Sequence, residues 1–295
     1  MNEVAGLLME YPDWLHVHRG DAPLIVSISH AGTQLPACYR SSFVSQWLAR
    51  KDVDWWLEKL YDFVHQELGA TVVRTEICRS IIDVNRDPSG ASLYPGQATT
   101  ELCPSTTFDG EALYLVGEEP TPDKITQRTK EYFEPYHRTL RMEIDRLQAQ
   151  HANVVLYDAH SIRSRIPRLF SGELPHLNLG TNDGQTCDAG LQQRLTQTAA
   201  NSGFSHVENG RFKGGWITRH YGSPSDGVHA VQMEIACRSY MRDPDVIRED
   251  EWPTPYLPAS AQRLREILRV LLSDCLQFAE LSNQKPAARD HHATH

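Results

Sequence analysis

The chain has 295 residues, 40% hydrophobic and 23% charged, the balance of an ordinary globular protein that can build a sizeable core without disulfides. A formal net charge of −9 argues against general nucleic-acid binding, which needs a basic surface, although a local arginine cluster can still hold a small anion. No apolar run approaches the ~20 residues that span a bilayer. The opening stretch MNEVAGLLMEYPDW lacks the basic and long apolar regions of a signal peptide. The six scattered cysteines form no CxxC pair, so a cytoplasmic protein with reduced thiols is expected.

Residues 23–29 (PLIVSIS) read as a strand that ends abruptly at His30. Continuous β-branched runs of this kind are buried on both faces of a sheet. A short helix is expected over 41–49 and a stronger one over about 53–68. In the second, Val53, Trp56, Leu57, Leu60, Val64 and Leu68 recur at helical spacing and Gly69 closes the run. Short strands follow at 71–74 and 80–84, then a long loop over 85–104 (NRDPSGASLYPGQATTELCP) of the kind that is functional or disordered in compact domains. Thr121-Pro122 opens a helix with Thr as cap. Its buried stripe is Phe133, Tyr136, Leu140, Ile144 and Leu147, and Pro135 should kink or split it.

A second abrupt strand, 153–158 (NVVLYD), ends just before His160. Beyond it come a loop with one short strand near 177–179, a helix over 187–201, and the run RFKGGWI interrupted by Gly214-Gly215. A strand over 228–236 (VHAVQMEIA) precedes a long amphipathic helix marked by Leu264, Ile267, Leu268, Leu271, Leu272, Cys275 and Phe278. The tail, residues 284–295, is polar and expected to be disordered, with His291, His292 and His295 in solvent. No internal repeat or linker is visible. Alternating strands and helices predict a single α/β domain over residues 1–283, a three-layer α/β/α arrangement around a mixed, largely parallel sheet.

In open α/β sheets, ligands gather beyond the carboxyl ends of the strands. His30 and His160 both sit there. If their strands are neighbours, the imidazoles can meet on a metal; taken singly, either could be a strand-end residue bonded to a loop. Two histidines, a carboxylate and an open fourth position form a common catalytic zinc set. Asp54 is either that carboxylate or the N-cap of the 53–68 helix. Asp158, two residues before His160, is either a ligand or a partner that orients the imidazole. Glu76 and Asp83 are weaker candidates. Glu234 lies among Val231, Met233 and Ile235. It is either a solvent-facing residue of a half-exposed strand or a general base whose pKa burial raises. Arg86, following Asn85 at the tip of IIDV, offers a planar fork to a carboxylate. Arg79, Arg163, Arg165, Arg211, Lys213 and Arg219 add cations in loops, although any one alone reads most simply as a surface residue. Gly214-Gly215 either lets backbone approach a ligand or marks a turn, and His220 and His229 read as structural. No GxGxxG, P-loop or GxSxG pattern is present.

Six stretches together resemble the N-formylglutamate amidohydrolases, the deformylases of histidine degradation. They are SISHAGTQLP (27–36), DVDWWLEKLYDFVHQELGATVVR (52–74), IIDVNRDPSGASLYPGQATTELCP (81–104), DAHSIRSRIPRLFSGELPHLNLGT (158–181), NGRFKGGWITRHYG (209–222) and HAVQMEI (229–235). They match in order over nearly the whole chain. The resemblance implies a fold related to zinc carboxypeptidases and aspartoacylase-like deacylases. Those enzymes bind metal through His-x-x-Glu and a distant His. Here Thr33 stands where the glutamate would be, and Asp54, in a matching stretch, is the implied third ligand. Zinc, or another divalent transition metal, would thus be held by His30, Asp54 and His160. By the same resemblance, Glu234 looks like the catalytic glutamate that takes a proton from the attacking water. Asn85-Arg86 looks like the substrate-holding pair of carboxypeptidases, with Arg86 also stabilising the oxyanion. Arg163, Arg211 and Arg219 are the implied grips for the substrate carboxylates, and the products are formate and L-glutamate. The expected partner is a small carboxylate-bearing substrate, with no nucleic acid and no membrane; the oligomeric state is not legible. A related deacylase or peptidase acting on another N-acyl amino acid, and a non-catalytic binder of acidic amino-acid derivatives, stay open as alternatives.

Overall fold

The two histidine-tipped strands are neighbours. In the computed structural model, which describes residues 11–283, the sheet holds β1 (Leu15–His18), β2 (Leu24–Ile28), β3 (Thr71–Thr75), β4 (Val154–Ile162), β5 (Leu177–Gly180), β6 (His206–Glu208) and β7 (Val228–Ala236). Their order is β1-β3-β2-β4-β7-β5-β6. The inner run β3-β2-β4-β7 is parallel, as is β5 with β6; β1 on β3 and β5 on β7 are antiparallel. The sheet is therefore mixed and largely parallel, as expected. Every residue of β2, β4 and β7 is buried, which explains their unbroken apolar runs.

Helices cover both faces. One layer packs α3 (Leu57–Leu60), α4 (Phe63–Leu68), α7 (Ala189–Asn201) and α9 (Pro258–Asn283) on Val26, Val155, Tyr157, Val231 and Met233. The other packs α6 (Glu134–Gln148), α8 (Trp216–Tyr221) and the segments carrying Phe43, Leu48 and Leu113 on Ile25, Val154, Leu156 and Ala230. This is the three-layer α/β/α arrangement. Along the second face the apolar side chains give way to polar ones toward the carboxyl edge. In β4, Val154 and Leu156 lead to Asp158 and His160; in β7, Val228 and Ala230 lead to Gln232 and Glu234. Slipping either strand by one residue would turn these polar groups into the opposite apolar layer. Each buried aliphatic side chain there is worth roughly 1.5–3 kcal/mol, so the register is fixed.

Several elements differ from expectation. Strand β4 runs on through His160 to Ile162, because β7 pairs with it as far as Ala236. The 41–49 helix is instead α1 (Ala37–Arg40) and α2 (Gln46–Arg50), and Ser45 caps the latter by accepting the Leu48 N–H. The 53–68 helix breaks into α3 and α4, with Trp56 in the left-handed region at φ 63°. Asp54 is not its cap: its own N–H donates to the His30 carbonyl, which draws the segment onto the sheet edge. Residues 80–84 form no strand. Their buried carbonyls are satisfied by side chains instead: Tyr114 donates to Ser80, Arg128 to Ile81 and His137 to Val84. Pro135 does perturb its helix: α5 (Pro122–Arg128) passes through a π turn, Thr129–Phe133, before α6. The helix expected from residue 187 starts at Ala189, capped by Asp188. Residues 284–295 lie outside the described residues. Among those described, no helix is long and apolar enough to cross a membrane.

Candidate active site

His30, Asp54 and His160 converge at the carboxyl edge of β2 and β4. Each offers one ligand atom, all within 4.8 Å of one another, and all three residues are buried. The imidazole centroids are 4.7 Å apart. Both rings turn Nδ1 toward the same oxygen, Asp54 Oδ2, at 3.2 Å for His160 and 3.9 Å for His30. Ligand atoms about 2.0–2.1 Å from a tetrahedral zinc sit about 3.3 Å apart; the His160–Asp54 distance matches that spacing and the His30–Asp54 distance is longer. The far nitrogens are anchored by carboxylates: His30 Nε2 lies 2.7 Å from Asp83 Oδ1, and His160 Nε2 lies 2.9 Å from Asp158 Oδ2. Carboxylate–imidazole pairs of this form fix ring orientation and raise ligand basicity. The donor set therefore fits a divalent metal. It also gives Asp83 and Asp158 orienting places, leaving Asp54 as the carboxylate between the rings.

Burial and neighbouring charge set the protonation states. Burial, helped by the Arg79 charge, pushes His30 below its usual value, favouring the neutral form a ligand needs. Burial alone would do the same to His160, but Asp158 and Asp54 outweigh it and hold that imidazole well above its usual range. Asp83 is buried too. Contact with the His30 imidazole and the charges of Arg79 and Arg86 overcome that penalty and keep it well below the ordinary carboxylate range.

Glu234 is not solvent-facing. It is 7% exposed and pairs in register with His160 across β4 and β7. Burial pushes it up to about 8, with the nearby His160 charge opposing. Gln232 sits beside it: Oε1 accepts the Gly215 N–H at 2.7 Å and Nε2 donates to Glu234 Oε2 at 3.3 Å. His30, His160, Gln232, Glu234, Arg79, Asn85, Arg86 and Arg211 line one cleft that opens to solvent.

The arginines divide. Arg86 and Arg211 line the cleft, Arg86 anchored to the Thr100 carbonyl and hydroxyl, Arg211 to the carbonyls of Leu169 and Ala98. Arg163 does not reach it. It is committed to Asp109 at 2.8 Å and Asp52 at 3.3 Å, an ion-pair cluster just past the end of β4. Arg219 also stays outside, donating to the Gly214 carbonyl and lying over the Tyr94 ring. Asn85 reaches the cleft wall, but its polar groups serve the scaffold: Oδ1 accepts the Ile217 N–H and Nδ2 donates to Asp158. Arg163 and Arg219 thus stand outside the cleft, and Asn85 lines it with its amide bonded to protein groups.

Two site residues carried little signal in the sequence. Arg79 was one cation among many, and its forked grip on Asp54 and Asp83 depends on a turn that looked like a strand. Gln232 was visible only as one of two polar residues in an apolar strand.

Strand order, buried glutamate and His-Asp-His cluster together define an α/β hydrolytic enzyme with a candidate metal centre. The family model described as N-formylglutamate amidohydrolase matches residues 22–241, and the chain belongs to that family. Its curated relatives include the N-formylglutamate deformylase of Pseudomonas putida, 45% identical over 265 residues, covering 90% of this chain and 96% of that protein. The corresponding Pseudomonas aeruginosa enzyme is 43% identical with the same coverage. The crystal structure of an N-formylglutamate amidohydrolase from Ralstonia eutropha shares the fold with a TM-score of 0.74 at 21% identity, over 91% of this chain and 99% of that one. A gene product of Agrobacterium tumefaciens does so with a TM-score of 0.63 at 18% identity, over 88% and 94%.

Proposed function

We propose that this chain hydrolyses N-formyl-L-glutamate to formate and L-glutamate, with zinc held by His30, Asp54 and His160. The observation that carries the reading is the convergence of those three ligand atoms beside a buried Glu234. Its substrate comes from the family and the relatives named above. Bound there, a divalent cation lowers the pKa of water and polarises a carbonyl oxygen. Glu234 accepts a proton from the water as it attacks the formyl carbon. It then delivers that proton to the amino nitrogen as the C–N bond breaks. A carboxyl group held near neutrality by burial suits both halves of this cycle. Arg86 faces the developing oxyanion, and Arg86 and Arg211 bind the substrate carboxylates. Asp83, Asp158 and Asn85 keep the two imidazoles aimed.

A substrate panel tests the reading. Purified protein supplied with zinc is given N-formyl-L-glutamate, N-formyl-L-aspartate, N-acetyl-L-glutamate and a glutamyl dipeptide, and formate or free amine is measured. The highest kcat/KM is expected for N-formyl-L-glutamate. A preference for the acetyl compound or the dipeptide reassigns the enzyme to another deacylase or peptidase. Binding without turnover of any of the four replaces the enzyme by a binder.

A further inference from the structure

Arg79 grips two carboxylates at once. Its Nη2 donates to Asp83 Oδ2 at 2.7 Å, and its Nη1 lies 3.4 Å from Asp54 Oδ1. The guanidinium carbon lies over the Phe108 ring, 4.8 Å from the centroid, and the residue is buried. Each carboxylate therefore spends one oxygen on Arg79 and keeps the other for a histidine. Asp83 Oδ1 holds His30 Nε2 at 2.7 Å; Asp54 Oδ2 faces His160 Nδ1 at 3.2 Å and also accepts the Ser161 N–H at 3.1 Å.

A carboxylate can give a cation one oxygen or two. With two, Asp54 would fill an extra coordination position. Catalytic zinc sites instead combine three protein ligands with an open position for water or substrate. Oδ1 of Asp54 is the oxygen a chelating carboxylate would have to turn inward, and Oδ1 is the one that faces Arg79. A guanidinium fork sets both directions together, which the point charge of an ammonium cannot do. The same fork ties Asp54 to Asp83, and so ties the tilt of His30 to the placing of the central carboxylate.

We propose that Arg79 is a positioning residue that holds Asp54 to a single coordinating oxygen, keeping a divalent cation at His30, Asp54 and His160 low-coordinate and open. This rests on the reading of those three residues as metal ligands. Phe108 supports it by backing the guanidinium, so that the fork cannot swing away from the two carboxylates.

Cobalt(II) tests it, because the visible absorption of that ion is strong in tetrahedral sites and weak in six-coordinate ones. Metal-free wild type, Arg79→Lys and Arg79→Gln are titrated with cobalt(II), and circular dichroism confirms the fold of each. Wild type should develop a strong visible band at one equivalent. Both variants should bind about 10- to 100-fold more weakly, the usual effect of losing a partner that orients a ligand, and their band should weaken toward higher coordination. A lysine variant with wild-type band and affinity would show that charge alone suffices and would overturn the proposal. A wild type that takes up no cobalt would instead overturn the metal-site reading beneath it. If neither variant folds, a crystal structure of the cobalt-loaded wild type decides. One Asp54 oxygen on the ion supports the proposal, and two overturn it.

Discussion

The imidazoles of His30 and His160 lie 4.7 Å apart although 130 positions separate them in the chain. They meet because β2 and β4 are parallel neighbours, and because both rings are pinned from behind by carboxylates. Replacing His160 by alanine removes one donor and takes one hydrogen-bond partner each from the buried Asp158 and Asp54. The expected result is loss of bound metal together with loss of turnover. Metal content by elemental analysis, read beside formate release, checks both on one sample.

Glu234 should behave in the opposite way. It lines the cleft but is not one of the three clustered ligand residues. Glu234→Gln keeps size and hydrogen bonding yet cannot take a proton. Metal content should stay at the wild-type level while kcat falls by about 10²- to 10⁴-fold, the usual range for a lost general acid–base group.

Gly215 tests the support around His160. A Cβ at this position would fall 2.5 Å from both polar atoms of the Asn85 side chain. Asn85 would have to leave Asp158 and the Ile217 N–H, loosening the carboxylate behind His160. Gly215→Ala should cost about 1–3 kcal/mol of stability, as overpacking does. Metal affinity should fall about 10- to 100-fold. Thermal unfolding and metal titration measure the two effects.

Arg211 and Arg163 should separate cleanly. Arg211 lines the cleft and bonds to carbonyl oxygens, whereas Arg163 is tied to Asp52 and Asp109. Arg211→Ala should raise KM about 10- to 100-fold, the value of a hydrogen bond to a charged group. Arg163→Ala should leave KM near wild type and lower stability by about 1–3 kcal/mol, because it takes the charged partner from the largely buried Asp52. Steady-state kinetics and urea unfolding on both variants make the comparison.

His137 gives the fold a pH dependence of its own, apart from the three clustered ligand residues. Burial lowers it to about 4 from its usual value of 6.5, and it hydrogen-bonds to the Val84 carbonyl and the Tyr221 hydroxyl. Between those two values the unfolded chain binds a proton that the folded chain refuses. The stability this neutral histidine lends is therefore present above the unfolded pKa and is lost as pH falls toward the folded one. From pH 7.5 to pH 5 the loss should be about 2 kcal/mol. Unfolding free energies from urea titrations at the two pH values should differ by that much more in wild type than in His137→Gln.

Much of this was legible in the sequence where one strong signal sufficed. Unbroken β-branched runs gave the inner strands, and the polar ends of those runs gave His30, His160 and Glu234. Strand β7 matched its expected span to the residue. What could not be read were features set by tertiary partners. Residues 80–84 are as apolar as a strand, but Tyr114, Arg128 and His137 satisfy their carbonyls from outside, so they turn and bring Asp83 to His30. Helical periodicity over 53–68 hid a break at Trp56, because nothing local shows that Asp54 is drawn to the His30 carbonyl. Arginines announce charge but not its use: Arg86 and Arg211 line the cleft while Arg163 pairs with Asp52 and Asp109.

The most direct test of the whole account is formate release from N-formyl-L-glutamate across removal and return of metal. Protein stripped by a chelator and dialysed should lose activity in step with its metal content. One equivalent of zinc, or of another divalent transition metal, should bring it back in wild type but not in His160→Ala. Full turnover by stripped protein holding no metal would contradict the account.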